Sequence, residues 1–402
     1  MKIAEINMLH YGSTGKIMLQ IAQCARDSGH EVKTFSVKTF SFQGVELHPD
    51  ILGHNYVGSY LTRGIHTVVG ILTGTNGFFS IAATRKLLRE LDAFSPEVIH
   101  LHNLHQFCIN FPIFFRYIKK KQIRIIWTLH DCWAFTGHCA HFDYIGCEKW
   151  KSSCSKCPQY KSYPKSYVDN SKWMYRMKKQ WFTGIENMTL VTPSDWLADM
   201  VKQSFLAKYP VKVIKNGIDI GVFQPHVSDF RKRYHCEDKK LLLGVAFGWG
   251  QRKGIDVFCE LATRLDESYQ IVLVGIDEAT KPQLPDNIIA ISRTDSQREL
   301  AEIYTAADLL VNPTREEVLG LVNVEALACG TPVITFRSGG SPECVDETCG
   351  VVVERDDIDA MQAQIIRICE ERPFLPEDCI RRARLFDKNM KFKEYVKLYE
   401  GN

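Results

Sequence analysis

The sequence predicts an α/β protein built as two doubly wound parallel-sheet domains, and three observations predict it. Short apolar, β-branched runs alternate with helical patterns along the chain. The first run leads through a glycine-rich turn into a helix closed by Ser28-Gly29, and a second run follows, which is the layout of a βαβ unit. At 402 residues the chain exceeds what one hydrophobic core covers, and the alternation starts afresh after Lys215-Asn216-Gly217.

Taken in order, residues 3–6 read as a strand, 16–27 as a helix and 32–37 as a second strand. Further strands are expected at 98–102, 123–129 and 189–191. The most apolar stretch, 107–118, is broken by Asn110, Pro112 and Arg116. It falls short of the roughly 20 apolar residues of a membrane span, and reads as a buried helix capped by Asn110 with Pro112 in its first turn. The second half repeats the pattern at 241–247, 271–274, 287–291, 308–311, 332–335 and 351–353. Apolar strands separated by helices imply parallel sheets covered on both faces, whose ligands bind at the carboxyl ends of the strands. The expected division is 1–215, 216–385, and a C-terminal helix within 386–402 that returns to the first domain.

Composition narrows the class. With 45% hydrophobic and 24% charged residues this is an ordinary globular protein, and a net charge of +3 does not suit a general nucleic-acid binder. The N-terminus lacks the apolar core of a secretory signal, so a cytoplasmic protein with reduced thiols among its 14 cysteines is expected. The turn His10-Tyr11-Gly12-Ser13-Thr14-Gly15-Lys16 suggests a P-loop but lacks two of its parts. His10 stands where the loop needs glycine, and Ile17 where it needs a magnesium-binding hydroxyl. What remains is a tight turn at a helix N-terminus, which favours close backbone approach and anions.

The sharpest signal is the run from Arg315 through Glu317, Gly320-Leu321-Val322 and Glu325 to Cys329-Gly330-Thr331-Pro332. A strand ends in a loop carrying Glu317, and a helix begins near Leu321, where free N–H groups form an anion site. Glu325 lies one turn into that helix. This stretch resembles the Glu-x7-Glu motif of the retaining glycosyltransferases of family 4, which have the GT-B fold of two Rossmann-like domains facing across a cleft. Val191-Thr192-Pro193-Ser194, Asn216-Gly217-Ile218-Asp219 and Ser338-Gly339-Gly340 fall in the family's order around it.

The resemblance implies a nucleotide-sugar donor and a saccharide or lipid-linked saccharide acceptor, in surface polysaccharide biosynthesis, with no cofactor needed for catalysis. The first domain would take the acceptor and the second the nucleotide-sugar. Glu325 would bind the ribose, Glu317 the donor sugar, and the amides of Leu321 and Val322 after Gly320 the pyrophosphate. In the loop Gly248-Trp249-Gly250-Gln251-Arg252-Lys253-Gly254, Lys253 matches the family lysine. Gly248 stands where the family has arginine, leaving Arg252 as the substitute. Gly12, Ser13, Gly15 and Lys16 would form a lid over sugar and diphosphate. His130 would stabilise the reacting centre, with Asp131 as a candidate to orient it. Two other enzymatic or binding roles share this cleft, a nucleotide-sugar 2-epimerase and a non-catalytic sugar-nucleotide module.

Two features lie outside that scheme. Cys139, Cys147, Cys154 and Cys157 are four thiols in one loop, and could hold a structural zinc; the first pair is separated by seven residues, wider than common zinc spacings. Unlinked thiols or a redox-sensitive pair are the alternatives. Residues 149–179 carry many lysines and aromatics against Asp169 as their one acid, a pattern suited to peripheral contact with an anionic membrane at its inner face or to a solvated helix face.

Overall fold

The computed structural model describes residues 1–38, 51–105 and 109–401, and every strand ladder among them is parallel. The chain forms two compact units, Met1–Ile214 with Phe392–Asn402, and Lys215–Lys391. The first holds β1 (Lys2–Ile6), β2 (Glu31–Val37), β3 (His54–Val57), β4 (Val98–Leu101), β5 (Arg124–Thr128), β6 (Met188–Thr192) and β7 (Val211–Val213), in sheet order β3-β2-β1-β4-β5-β6-β7. The second holds β8 (Lys240–Val245), β9 (Tyr269–Val274), β10 (Ile288–Ile291), β11 (Leu309–Asn312), β12 (Val333–Phe336) and β13 (Gly350–Val353), in order β10-β9-β8-β11-β12-β13. In each unit the order reverses beside its first strand, between β1 and β4 and between β8 and β11. Such a reversal opens a crevice at the carboxyl ends of those two strands.

Burial follows the pleat. Leu241 and Leu243 enter one core with Tyr304, Val324 and Leu327, while Leu242 between them enters another with Phe258, Leu261 and Ile365. A sheet covered on both faces needs such unbroken apolar strands, which is why most were visible in the sequence. β3 and β7 were not. They are sheet edges with the sequences HNYV and VKV, too short and polar to leave an apolar run.

The apolar stretch at 107–118 lies partly outside the described residues. From Asn110 onward its side chain caps the helix Phe111–Lys121, accepting from the Ile113 amide at 3.1 Å, with Pro112 in the first turn. Part of the basic–aromatic stretch is core: Trp150, Tyr175 and Lys178 are buried and Trp173 stacks on Phe78 at 4.8 Å. Its outward aromatics are Tyr163 and Tyr167. Among the described residues no helix is long and apolar enough to cross a membrane.

The last helix, Lys388–Glu400, belongs to both units. Its start stays with the second, where Lys388 donates its amide to Ile218 O and pairs through its side chain with Asp219. From Phe392 on, Phe392, Tyr395, Val396 and Tyr399 pack against Ile3, Ile17, Ile21 and Val98 of the first unit. Arg124 closes this helix by donating to Leu398 O at 2.6 Å and Tyr399 O at 2.8 Å, where a cation suits the exposed carbonyls.

Candidate active site

The candidate residues divide between the two units. In the second, the loop after β8 runs from Gly248 into a 3-10 turn, Gln251–Lys253, and meets the loop after β11. The Arg315 amide donates to Arg252 O at 2.9 Å, and the Arg252 guanidinium reaches Glu316 O at 3.5 Å. Arg315, to which sequence reasoning assigned no role, is buried and binds Asp256 through two hydrogen bonds of 2.8 and 2.7 Å while also donating to Gln251 O and Asp356. Its only signal in the sequence was a charge beside buried strands.

This clamp sets up one ion pair. Lys253 Nζ lies 2.6 Å from Glu317 Oε2, and the Val318 amide donates to Glu317 Oε1 at 3.1 Å. Burial pushes the Glu317 carboxyl up, but the charge and hydrogen bond of Lys253, the Val318 amide and the charge of Arg252 outweigh it, and the pKa falls below its ordinary value. The Glu317 backbone is seated by Gly339 and Gly340. Gly340 donates to Glu317 O at 3.0 Å, and a Cβ on Gly339 would stand 1.7 Å from that oxygen, so only glycine fits.

The helix after Glu317 spans Leu321–Ala328 with Gly320 as its N-cap, so the amides of Leu321 and Val322 lie in its first turn, where intrahelical partners are lacking. Asn323 holds this turn down by accepting from Asn312 at 2.7 Å and donating to Ser341 Oγ at 2.9 Å. Glu325 is half-buried one turn on, with the Tyr304 hydroxyl donating to its Oε2 at 3.0 Å. Lys253, Glu317, the helix start and Glu325 thus stand at the carboxyl side of β8 and β11.

In the first unit the glycine turn is itself helical. The helix spans Gly12–Asp27, so Gly12, Ser13, Gly15 and Lys16 occupy its first turns rather than preceding it. Gly12, Ser13 and Lys16 are exposed, but Gly15 is buried under the chain's own loop: a Cβ there would meet His10 C at 2.4 Å and Leu9 O at 2.8 Å. The need for glycine at this position is therefore internal. Asn7, also unnoticed in the sequence, ties the region together, accepting from the Asn103 amide at 3.1 Å and donating to Leu9 O and Thr14 Oγ1.

His130 follows β5 and is half-buried. Asp131 does not orient it: that carboxylate lies 2.9 Å from His105 Nε2 and accepts from the Trp133 amide at 2.8 Å. The group that meets His130 is His102, whose Nδ1 lies 3.0 Å from His130 Nε2 with the ring planes within 10°. Burial, then His102, push the His130 pKa down to about 3 against the pull of Asp131, so the ring is neutral at ordinary pH.

In the cysteine loop, Cys139 and Cys154 are buried and Cys147 and Cys157 half-buried. The Cys139 and Cys157 thiols share a hydrogen bond, and the Gly137 amide donates to Cys154 Sγ at 3.1 Å. Among the described residues, the set with three donor atoms within 4.8 Å of one another is Glu5, His100 and His102; no three of the four thiols come that close together.

Two parallel sheets of this order, each opening at the carboxyl ends of its central strands, make the GT-B fold. The structure is similar to sucrose-phosphate synthase from Thermosynechococcus elongatus, with a TM-score of 0.72 and 18% identity over 100% of this chain and 98% of that one. It is similar also to HepE of Anabaena in complex with UDP-glucose, with a TM-score of 0.67 and 14% identity over 100% of both chains. The model for Glycosyltransferase Family 4 matches residues 14–222, and that for Glycosyl transferases group 1 matches 229–386. The chain belongs to glycosyltransferase family 4. Among curated relatives, WcaC of Escherichia coli (strain K12), by name a colanic acid biosynthesis glycosyl transferase, is 25% identical over 76% of each chain. A GDP-mannose-dependent monoacylated alpha-(1-6)-phosphatidylinositol monomannoside mannosyltransferase of Corynebacterium glutamicum is 29% identical over 50% of this chain and 56% of its own.

The depressed pKa of Glu317 gives the pair a pH signature. Its contribution to stability is complete above the ordinary carboxylate value of 4.5 and is lost as pH falls through the lower folded-state pKa. Comparing urea midpoints of wild type and Lys253→Met, the variant should be less stable by about 1 kcal/mol at neutral pH. The gap should close at an acid pH below the lowered folded-state value. An equal gap at both pH values would show that the pair is not ionic.

Proposed function

We propose that this glycosyltransferase moves a hexose from a nucleotide-sugar to a saccharide or lipid-linked saccharide acceptor with retention, in surface polysaccharide biosynthesis. The observation that carries the reading is the Lys253–Glu317 pair beside the Leu321 helix start, with Glu325 one turn along. Lys253 and Arg252 offset the negative charge that grows on the departing diphosphate, and the amides of Leu321 and Val322 hold its oxygens. Glu325 accepts ribose hydroxyls, and Glu317 accepts hydroxyls of the sugar.

At the acceptor side, His130 is neutral and donates to the substrate rather than taking a proton. The carboxylates near it are engaged, Asp131 by His105 and Trp133, and Glu5 by complete burial. This supports attack by the acceptor hydroxyl on the face that the diphosphate leaves. The bond from the anomeric carbon to phosphate oxygen breaks, the bond to the acceptor oxygen forms, and the acceptor's proton goes to the departing phosphate. The UDP-glucose in the HepE structure and the colanic acid named for WcaC support a nucleotide-sugar donor and a polysaccharide product. An epimerase would change the donor without acceptor, so product analysis with and without acceptor separates the two.

The acceptor side also carries a membrane-facing surface in this reading. Leu61, Ile65, Val68 and Leu72 share one face of the helix Tyr60–Thr73 and are between 51% and 73% exposed. The Tyr167 amide donates to Ile71 O at 2.9 Å, which sets the exposed Tyr167 and Val168, with Lys165 over the Tyr167 ring, beside the end of that helix. An apolar stripe edged by aromatics and lysines fits an anionic lipid surface, where each cation adds about 1 kcal/mol.

The thiol loop is read as a structural zinc site. Lys178 is fully buried, donates to Trp133 O at 2.7 Å and lies 3.4 Å from the Trp133 ring centroid; burial pushes its pKa well down, against the pull that Cys154, Cys139 and Asp131 exert when ionised. The Cys157 hydrogen bond and burial keep the Cys139 thiol protonated, and burial does the same for Cys154, so without a metal they give the amine no countercharge, whereas metal-bound thiolates would favour its charged form. The zinc would draw the four sulfurs together and hold a loop with little regular structure.

Three tests follow from these readings. Glu325→Ala should weaken donor binding by about 1.5–3 kcal/mol, while Glu317→Ala should depress turnover more than nucleotide affinity; unchanged donor affinity in folded Glu325→Ala removes the ribose contact. In vesicle flotation, wild type should float with phosphatidylglycerol vesicles at low salt, and Leu61→Ser with Ile65→Ser should abolish it. Wild type that stays in the pellet fraction with such vesicles ends the membrane reading. Protein purified under reducing conditions without chelator should carry about one zinc, lost in Cys154→Ser with Cys157→Ser; metal-free wild type disproves the site.

A further inference from the structure

The sheet of the first unit carries a buried polar chain that no mechanism so far uses. Parallel register sets Glu5 of β1 opposite His100 of β4. His102 and His130 lie further along, just past the ends of β4 and β5. Glu5, His100 and His102 are all fully buried. Glu5 Oε2 and His102 Nε2 are both buried without a hydrogen-bond partner, and they face one another at 3.4 Å. On its other edge, His102 Nδ1 meets His130 Nε2 at 3.0 Å.

The remaining groups hold this chain from behind. The Tyr399 hydroxyl donates to Glu5 Oε1 at 3.2 Å, and His100 joins Tyr399 through Nδ1 at 2.7 Å and Thr128 through Nε2 at 2.8 Å. Both nitrogens of His100 are thus occupied, so the set of Glu5, His100 and His102 works as a hydrogen-bond chain rather than a metal site. The other titratable or charged groups facing it are Arg26 from the helix Gly12–Asp27, Tyr395 from the C-terminal helix, and Asp131 and His105 beyond His130.

We propose that Glu5 and His102 are positioning residues that set the tautomer of His130, so that His130 offers an N–H from Nδ1 to the substrate. This rests on the placement of His130 at the reacting sugar. The logic is that a ring nitrogen which accepts a hydrogen bond forces the proton onto the other nitrogen. A protonated Glu5 donates to His102 Nε2, which leaves the proton on His102 Nδ1. That nitrogen donates to His130 Nε2, which leaves the His130 proton on Nδ1. Ionising Glu5 reverses every donor: His102 Nε2 donates to the carboxylate, His130 Nε2 donates to His102, and His130 Nδ1 presents a lone pair.

Burial supports the protonated form, pushing the Glu5 pKa up to about 8 against the Tyr399 hydrogen bond and Arg26. His102, also by burial, is pushed down to about 3, so both members of the facing pair are neutral. A histidine held in the wrong tautomer has been worth up to about 10⁴-fold in turnover where a histidine drives the chemistry.

The test combines a spectroscopic and a kinetic readout. In nitrogen-15 imidazole spectra of the full chain, with His130 assigned by the signals lost in His130→Ala, wild type at pH 7 should show His130 protonated on Nδ1. The proton should move to Nε2 above about pH 8, and in Glu5→Leu, which neither donates nor accepts, the preference for Nδ1 should be lost. Glu5→Gln, whose amide still donates to His102, should keep the tautomer and turnover and remove the loss of turnover above that pH. Glu5→Leu and His102→Phe should lower kcat by at least about tenfold with donor affinity unchanged, and add nothing in a His130→Ala background. Wild-type His130 protonated on Nε2 at pH 7 overturns the inference, whether or not the buried variants fold. If His130→Ala loses turnover while folded Glu5→Leu and His102→Phe keep it, the chain is wrong and the proposed function stands. If His130→Ala turns over like wild type, the catalytic use of His130 falls, and the tautomer is still judged by the spectra.

Discussion

Parallel pairing is the constraint on which the rest of this structure depends. A parallel strand cannot be rejoined by a hairpin, so each strand is followed by a helical crossover and all carboxyl ends emerge on one edge of a sheet. The order reverses between β1 and β4 and between β8 and β11, so crossovers leave in opposite directions there and open a crevice. The candidate residues lie in loops or early helical turns after β1, β5, β8 and β11. The chemistry sits where the backbone pairing leaves room for it.

Within the second unit, electrostatics then fix the loops. A buried guanidinium at Arg315 is tolerable only because Asp256, Asp356 and the carbonyl of Gln251 surround it. Those partners come from the loop that carries Arg252 and Lys253 and from neighbouring segments, so satisfying one buried charge brings the cations to Glu317. The close seat of Glu317 on Gly339 and Gly340 allows that carboxylate little backbone freedom. A rigid, pre-paired lysine and glutamate suit the role proposed for this site, to meet a diphosphate and a sugar together.

The first unit solves a different problem. Glu5, His100, His102 and the Tyr399 hydroxyl lie inside a sheet face that is otherwise apolar, where an unpaired polar atom costs about 1–3 kcal/mol. The Tyr399 hydroxyl and Thr128 serve Glu5 Oε1 and His100, His130 serves His102 Nδ1, Glu5 Oε2 and His102 Nε2 are left facing one another, and burial keeps the imidazoles neutral. The C-terminal helix supplies Tyr395 and Tyr399 to this network, so the end of the polypeptide supports groups at the ends of β1, β4 and β5. Lys178 poses a similar problem in the cysteine loop, where burial disfavours its charged form and its amine meets the Trp133 ring and carbonyl.

The sequence by itself determined the class of fold, the strands buried on both faces and the spacing of Glu317 and Glu325. Each is written in local patterns: apolar runs, a glycine after a helix, and a motif within one loop and helix. It did not reveal the edge strands β3 and β7, because strands solvated along one edge need no apolar run. Nor did it reveal that Lys253 meets Glu317, that Arg315 clamps both loops, or that His102 rather than Asp131 touches His130. Glu5 reads in the chain as one polar residue in a strand, and Gly15 as a turn residue. Only the register of β1 against β4 and the fold of residues 9–10 over Gly15 decided their surroundings. These are contacts between segments far apart in the chain or across a turn, where distance in space depends on how sheets and crossovers pack and leaves no periodic trace in the residues themselves.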